Sequence, residues 1–350
     1  MGVTIKDVAK KTGLSITTIS LVLNKKENRI PEKTRQIIEN AVHELNYAPN
    51  QAAVSLSTKK TNLIALVIPR KTFYSFADLV SSIESSCRNA GYGLNISLPE
   101  GDEASCLEAI RETLRRGADG VVFDPSAFND DFYSAYMDLV SKSEIPIVSL
   151  AAAGAHLLPN SITPDHRQGG YLAASHLLEL GHTRFGFIAG SRESCIVSDL
   201  LRGIEDAFEE LRPNSPSPSS DGLFAVFGEA NAASGHEGLD TLLELQPSAI
   251  AGAVTAIIAG SDSIAFGLLR RARELGIAIP GGLSVIGYGN SLPGAEYTPL
   301  STISIHYDRI ARKAVNLLKK LNQGEAALTP ELISPSLILR GSTQAHESQR

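Results

Sequence analysis

The sequence predicts an α/β protein that carries a small all-α head at its N-terminus, and three observations support this. From residue 62 onward, short apolar runs rich in β-branched residues alternate with helical stretches, the rhythm of parallel sheets covered by helices on both faces. Before residue 50 the apolar residues recur instead at three- and four-residue spacing, punctuated by a glycine and then a proline. Charge separates the same two regions. Residues 1–60 hold ten Lys/Arg against five Asp/Glu, a net +5, while the remainder holds 22 against 33, a net −11. A basic head on an acidic body directs the head toward a polyanion and keeps the body off it.

With 350 residues, 43% hydrophobic and 20% charged, the chain is long enough for two or three folded units. Its longest apolar runs, such as Leu63 to Ile68, fall well short of the roughly 18 residues a membrane helix needs, so no membrane association is expected. The start, MGVTIKDVAKKTG, lacks an apolar core followed by a small-residue cleavage site, and a cytoplasmic location is the expectation. Cys87, Cys106 and Cys195 are odd in number and widely spaced, which suits reduced thiols rather than a disulfide frame or a metal site.

In the head, Thr4 and Asp7 make a T-x-x-D start for a helix with Ile5, Val8 and Ala9 inward. Gly13 permits a sharp turn, and Ser15 stands where a second helix needs its N-cap, with Ile19, Val22 and Leu23 inward. Pro31 and Glu32 open a third helix carrying Ile37, Ile38, Ala41, Val42 and Leu45 to the same core. Helix, tight turn, helix is an arrangement whose second helix enters the DNA major groove, its first residues at the base edges. On that reading Ile16 offers apolar contact to a thymine methyl and Thr17 a hydroxyl to a base, while Thr18, Asn24 and Tyr47 are placed for phosphates. Thr4 and Ser15, at two helix starts, complete this candidate surface.

The residues also carry a resemblance. VTIKDVAKKTGLSITTISLVLN and PEKTRQIIENAVHELNYAPN resemble the head of the LacI/GalR family of bacterial transcriptional repressors. HLLELGHTRFGFIAG, AGSDSIAFGLLRRARELGIAIP, LSVIGYGNS and YTPLSTISIHYDRIARKAVNLL are similar to landmarks of the family's regulatory core. The resemblance implies a helix-turn-helix head at 1–48 and a hinge helix and linker at 49–61. It further implies a two-lobed core like a periplasmic sugar-binding protein, one lobe from 62–162 with 292–327 and the other from 163–291 with 328–345. It implies a homodimer on a pseudo-palindromic operator in double-stranded DNA, a small-molecule effector between the lobes with a sugar or derivative among the candidates, and no cofactor. The tail GSTQAHESQR lacks leucine heptads, so a dimer is simpler than a tetramer.

Leu21 departs from the family, where an arginine that grips guanine is common; a leucine there either alters the half-site or packs into the head core. Leu56 matches the family's lever leucine, which wedges between base pairs, and the alternative is that it packs against its dimer mate. Asn50 and Gln51 would add polar contacts in the minor groove.

For the effector, the resemblance points to Asp165, Ser261 and Asn290 at strand ends and to Ser75, Phe76 and Arg192 in loops facing the cleft. Asp165, Asp262 and Arg192 serve equally well as caps or interlobe partners, and Asp262 reads mainly as a cap. Leu200, Ala230 and Gly289 stand where many sugar-responsive members place an arginine, an aromatic and an acid, so the usual hexose set is missing and another ligand, or a degraded pocket, is expected. The Pro- and Ser-rich RPNSPSPSSDG at 212–222 reads as a surface excursion.

An enzyme is not expected: there is no G-x-G-x-x-G, no G-x-x-x-x-G-K-[ST], and the histidines are scattered without ligand spacing. Two other functions stay open, a DNA-binding regulator with no working effector site and a cytoplasmic small-molecule-binding protein. Titrating operator DNA against metabolites separates them, because a sensor binds ligand differently in its two states.

Overall fold

Two-residue alternation along the central strands sends side chains into two cores per sheet, and this decides the architecture of the computed structural model. The structure describes residues 3–23, 30–48, 55, 60–70, 77–125, 130–150, 158–212, 222–245, 254–291, 299–327 and 329–346. The chain divides into two compact units, Met1–Asn62 and Leu63–Arg350.

In the first unit, α1 (Ile5–Thr12), α2 (Ile16–Leu23) and α3 (Glu32–Glu44) enclose a core of Val8, Ile19, Val22, Ile38 and Ala41. Ile37, expected inward, is instead exposed, because Ile38 and Ala41 already turn α3 toward the core and Ile37 lies to one side. Gly13 ends α1 at φ 69°, a left-handed conformation that a side chain would strain, and the tight turn into α2 follows from it.

The second unit begins with a parallel sheet in the order β2-β1-β3-β4, made of β1 (Leu63–Val67), β2 (Gly93–Ser97), β3 (Gly120–Phe123) and β4 (Ile147–Ser149). A bridge between Ser149 and Ser161 extends it to β5 (Ile162–Pro164), which pairs in parallel with β11 (Glu331–Ile333). Ile64, Leu66 and Val122 face α4 (Ala77–Ala90) and α11 (Tyr307–Leu321); Val67, Val121 and Phe123 face α5 (Glu103–Arg115) and α6 (Asp130–Lys142). Burial on both faces is why these strands read as unbroken apolar runs.

A six-stranded sheet in the order β12-β10-β9-β8-β6-β7 forms the other lobe, from β6 (Phe185–Ala189), β7 (Leu223–Phe227), β8 (Ala256–Ala259), β9 (Ser284–Gly289), β10 (Ser301–Ser304) and β12 (Ser336–Ile338). Phe185, Phe187 and Ile286 pack under α7 (His166–Glu179) and α8 (Cys195–Leu211), while Ile188, Ile257 and Val285 pack under α9 (Ala232–Glu244) and α10 (Asp262–Glu274). Both helix pairs cross with backbones touching. A Cβ at Gly170 or Gly203 would overlap a carbonyl of α8 or α7, and one at Gly235 or Gly267 a carbonyl of α10 or α9.

The chain passes between lobes three times, and pairing moves two of the passages. β10 pairs with β9, so residues 301–304 belong to the six-stranded sheet and the crossing expected near 291 falls at 305–306, just before α11 joins the first lobe. β11 pairs with β5, so the last crossing lies between 333 and 336 instead of near 327. Hydrogen-bond partners of a short strand are set by the sheet it completes, which no local pattern encodes. Of the 212–222 stretch, 213–221 lies outside the described residues.

Gly203→Ala should lower the stability of the second unit by about 2–3 kcal/mol through overpacking, measured as a shift in urea midpoint. Gly324→Ala, at a surface turn with open space around its Cβ, carries backbone strain alone and should cost clearly less.

Candidate functional site

Two sets of residues stand out, one in each unit. In the head, the Thr4 amide and hydroxyl both donate to the Asp7 carboxylate, each at 2.8 Å, which holds the Asp7 pKa below its ordinary value. The Thr4 hydroxyl therefore has to release Asp7 before donating to a phosphate, an acceptor only. Ser15 Oγ accepts from the Thr18 amide at 3.0 Å and lies 2.8 Å from the Thr18 hydroxyl, so the start of α2 is capped by its own side chains. With Ile19 and Val22 buried, α2 turns Ile16 and Thr17 outward, Ile16 at 43% exposure. Leu21 is half-buried and stands apart from the residues that build the head core. Tyr47 packs its ring against that core. An ion pair of Lys11 with Glu44 at 2.5 Å ties α1 to α3. Asn24, Asn50, Gln51 and Leu56 lie outside the described residues.

In the second unit the carboxyl ends of both sheets border a cleft of about 980 Å³. Parallel β/α order brings helix N-termini to the same place, and each leaves backbone N–H groups to be satisfied. Asp102 accepts from the Ser105 amide at 2.9 Å, Asn231 from Ser234 at 3.0 Å and Ser261 from Ile264 at 3.2 Å; all three line the cleft. Asp165 caps α7 in the same way, accepting from Gln168 at 2.9 Å.

The residues expected for the effector fall at different places in the structure. Ser261 lines the cleft, but Asp165, Arg192 and Asn290 are not among its lining residues. Asp165 is used as a cap, Arg192 lies over the Phe227 ring at 5.5 Å, and Asn290 accepts from Arg340 at 2.7 Å. Ser75 and Phe76 lie outside the described residues. Asp262 is not the cap of α10; Ser261 is, and Asp262 follows it, buried to 2% exposure in the cleft wall. Its carboxylate accepts from the Thr302 hydroxyl at 2.6 Å and the Ser291 amide at 2.7 Å, while burial pushes its pKa up.

His166, the first residue of α7 and one of the histidines without ligand spacing, lines the cleft at 4% exposure. Its Nδ1 lies 2.6 Å from the Tyr288 hydroxyl, and Nε2 is buried without a hydrogen-bond partner among the described residues. Whichever of the pair donates, Nε2 is left with one hydrogen-bonding function to offer. Burial pushes the imidazole down to about 4. Tyr307, half-buried, and Asp124, buried at the end of β3, line the cleft as well. The acid closing the run GVVFD was a readable signal for Asp124, since ligands of such folds sit beyond strand carboxyl ends. Nothing local marked His166 or Tyr288, which meet across 122 residues. Among the described residues no group of three His, Cys, Asp or Glu could hold a metal, and no helix is long and apolar enough to cross a membrane.

A helix-turn-helix head and a two-lobed, cleft-bearing core define a transcriptional regulator of the periplasmic-binding-protein-like type. Residues 4–50 match the bacterial regulatory proteins of the lacI family, and residues 174–343 match the periplasmic binding protein-like domain. The chain is 31% identical over 345 residues to the HTH-type transcriptional repressor PurR of Actinobacillus pleuropneumoniae serotype 3 (strain JL03), covering 97% of this chain and 98% of that one. It is 31% identical to the HTH-type transcriptional regulator DegA of Bacillus subtilis (strain 168), covering 98% of each. Among solved structures, the lac repressor dimer bound to operator and the anti-inducer ONPF superposes at a TM-score of 0.81 and 26% identity over 99% of this chain and 100% of that chain. The chain belongs to the lacI family of bacterial regulatory proteins, and it is a DNA-binding transcriptional regulator with an effector-binding core domain.

His166→Gln should flatten the acid limb of stability. As pH falls below 6.5 the unfolded chain takes up a proton that the buried imidazole refuses, so folded stability drops from about pH 6.5 to about pH 4. Asp262 works in the opposite sense: its raised pKa favours the folded state in acid, and that contribution is lost as pH rises through the folded value. Urea midpoints of the wild type and H166Q between pH 4 and 7.5 should converge only at the upper end.

Proposed function

We propose that the protein is a homodimeric repressor that binds a pseudo-palindromic operator with its heads and is switched by a small molecule in the interlobe cleft. The observation that carries this is the outward face of α2 on a basic unit, Ile16 and Thr17 exposed and Leu21 outside the core, in a chain whose other unit encloses a capped, polar-rimmed cleft. Dimerisation, repression and a cytoplasmic location are supported by the relatives, which are named repressors and regulators, and by the lac repressor dimer seen on operator. The same names support a non-enzymatic role. Thr17 and Ile16 would meet bases, with Thr4, Ser15, Thr18, Asn24 and Tyr47 along the phosphates and residues 50, 51 and 56 in the minor groove.

The cleft argues for the charge of its effector. Its described lining carries six carboxylates, Asp102, Glu103, Asp124, Glu193, Glu229 and Asp262, and no lysine or arginine. Helix N-termini at the rim each contribute about half a positive charge, too little to offset that number. An uncharged or cationic, hydroxyl-bearing compound fits this lining, with Ser261, Ser291 and His166 available to pair with it; a phosphorylated one does not.

Selection of duplexes from a random library, followed by metabolite titration of the complex, tests the proposal. A single preferred two-half-site sequence is expected, with affinity falling steeply as salt rises because Lys and Arg displace counterions from phosphates. Thr17→Ala should change which sequence is preferred, and a uniform loss across all sequences would show that the hydroxyl reads no base. Leu56→Ala should reduce the bend of the bound duplex. Compounds that shift DNA affinity should lack phosphate groups; a sugar phosphate among the strongest would contradict the electrostatic reading of the cleft.

A further inference from the structure

The geometry points to a half-site read by α2 through thymine methyl groups, with Ile16 and Leu21 as the apolar contacts, so that the base pairs facing α2 are A·T and none is selected as guanine by this helix. The inference rests on the DNA-binding reading above and goes beyond it by naming what the helix recognises.

The argument begins with what α2 lacks. Guanine shows two acceptors in the major groove and is gripped by the paired donors of arginine or by lysine; adenine is gripped by asparagine or glutamine. ITTISLVL contains none of these four residues and no charge of either sign. The described cations of the head lie on other helices, Lys6, Lys10 and Lys11 on α1 and Lys33 and Arg35 on α3, where Lys11 pairs with Glu44 and Arg35 lies 3.7 Å from Glu32. The hydroxyls of α2 do not supply the paired donors that grip guanine: Thr18 is engaged with Ser15, Ser20 has an interaction of its own, and Thr17 offers one donor where guanine shows two acceptors.

What α2 does present is apolar. Ile16 is a large hydrophobic residue left 43% exposed at the first position of the helix, where base edges are reached. Leu21 is absent from the head core although Ile19, Val22 and Leu23, its helical neighbours, all take part in it. An apolar side chain pressed into the major groove finds one apolar base substituent there, the thymine C5-methyl. Covering that methyl removes about one CH₂ equivalent from water, a gain of about fourfold in affinity per contact. The occupant of this apolar face is therefore duplex DNA, drawn by a head with a net charge of +5 over residues 1–60.

The test uses the full-length protein and the duplex it prefers from a random library. Each thymine of a half-site is replaced in turn by deoxyuridine, which lacks only the methyl, and each guanine by 7-deazaguanine. Two thymines per half-site should lose about fourfold in affinity on replacement. Ile16→Ala should abolish the sensitivity at one of them and Leu21→Ala at the other, with Ile16→Val intermediate; neither residue is part of the head-core cluster, and the helical circular-dichroism signal and urea midpoint of each variant should match the wild type. If deoxyuridine is silent throughout a preferred half-site, or if the positions that respond to Ile16→Ala and Leu21→Ala are sensitive to 7-deazaguanine, the inference is overturned while DNA binding stands. A protein with no preferred duplex at all would remove the DNA-binding reading and this inference together.

Discussion

A helix begins with backbone N–H groups that have no partner inside it, and much of this protein is arranged around that constraint. In a parallel β/α lobe every strand delivers its chain to a helix start on the same side of the sheet, so the unsatisfied donors gather there. Asp102, Asp165, Asn231 and Ser261 answer them, each cap worth about 1 kcal/mol. The consequence is chemical as well as structural. Caps must be polar and often acidic, so the rim between the lobes acquires carboxylates and hydroxyls before any ligand is considered. The head obeys the same constraint at smaller scale, with Asp7 holding Thr4 and Ser15 holding the start of α2.

Packing then decides how much freedom those helix starts have. α7 and α8 touch backbone to backbone at Gly170 and Gly203, and α9 and α10 at Gly235 and Gly267. No side chain intervenes at these points, so each pair is packed backbone to backbone with no slack between its helices. The three crossings between lobes, after β5, before α11 and between β11 and β12, are the places where one lobe can turn against the other. His166 follows the first crossing directly, and its partner Tyr288 lies on β9 of the six-stranded sheet. The imidazole thus lies beside a crossing between the lobes and contacts the second lobe through Tyr288.

Much of this was legible along the chain, for identifiable reasons. Runs such as LIALVI and RFGFIAG announced buried parallel strands because both faces of such strands are apolar, and Thr4, Gly13 and Ser15 announced the head because caps and left-handed turns admit few residue types. The expectations that failed share a different cause. Ile37 lies at the edge of an apolar stripe, where period alone cannot separate core from surface. Ser261 and Asp262 are adjacent polar residues either of which can cap α10, and only the positions of Thr302 and Ser291 leave the carboxylate to them and the cap to serine. Asp165, Arg192 and Asn290 stand near strand ends as expected, but local partners take their side chains.

The sequence by itself determined the class of fold, the three helices of the head and the outward Ile16 and Thr17 at the start of α2, since each follows from local periodicity, capping and composition. Tertiary structure alone decided which sheet each short strand completes, that His166 meets Tyr288, and that six carboxylates share one cleft with no described lysine or arginine. Those outcomes depend on contacts between residues far apart in the chain, whose free energy is realised only when the lobes close around common cores.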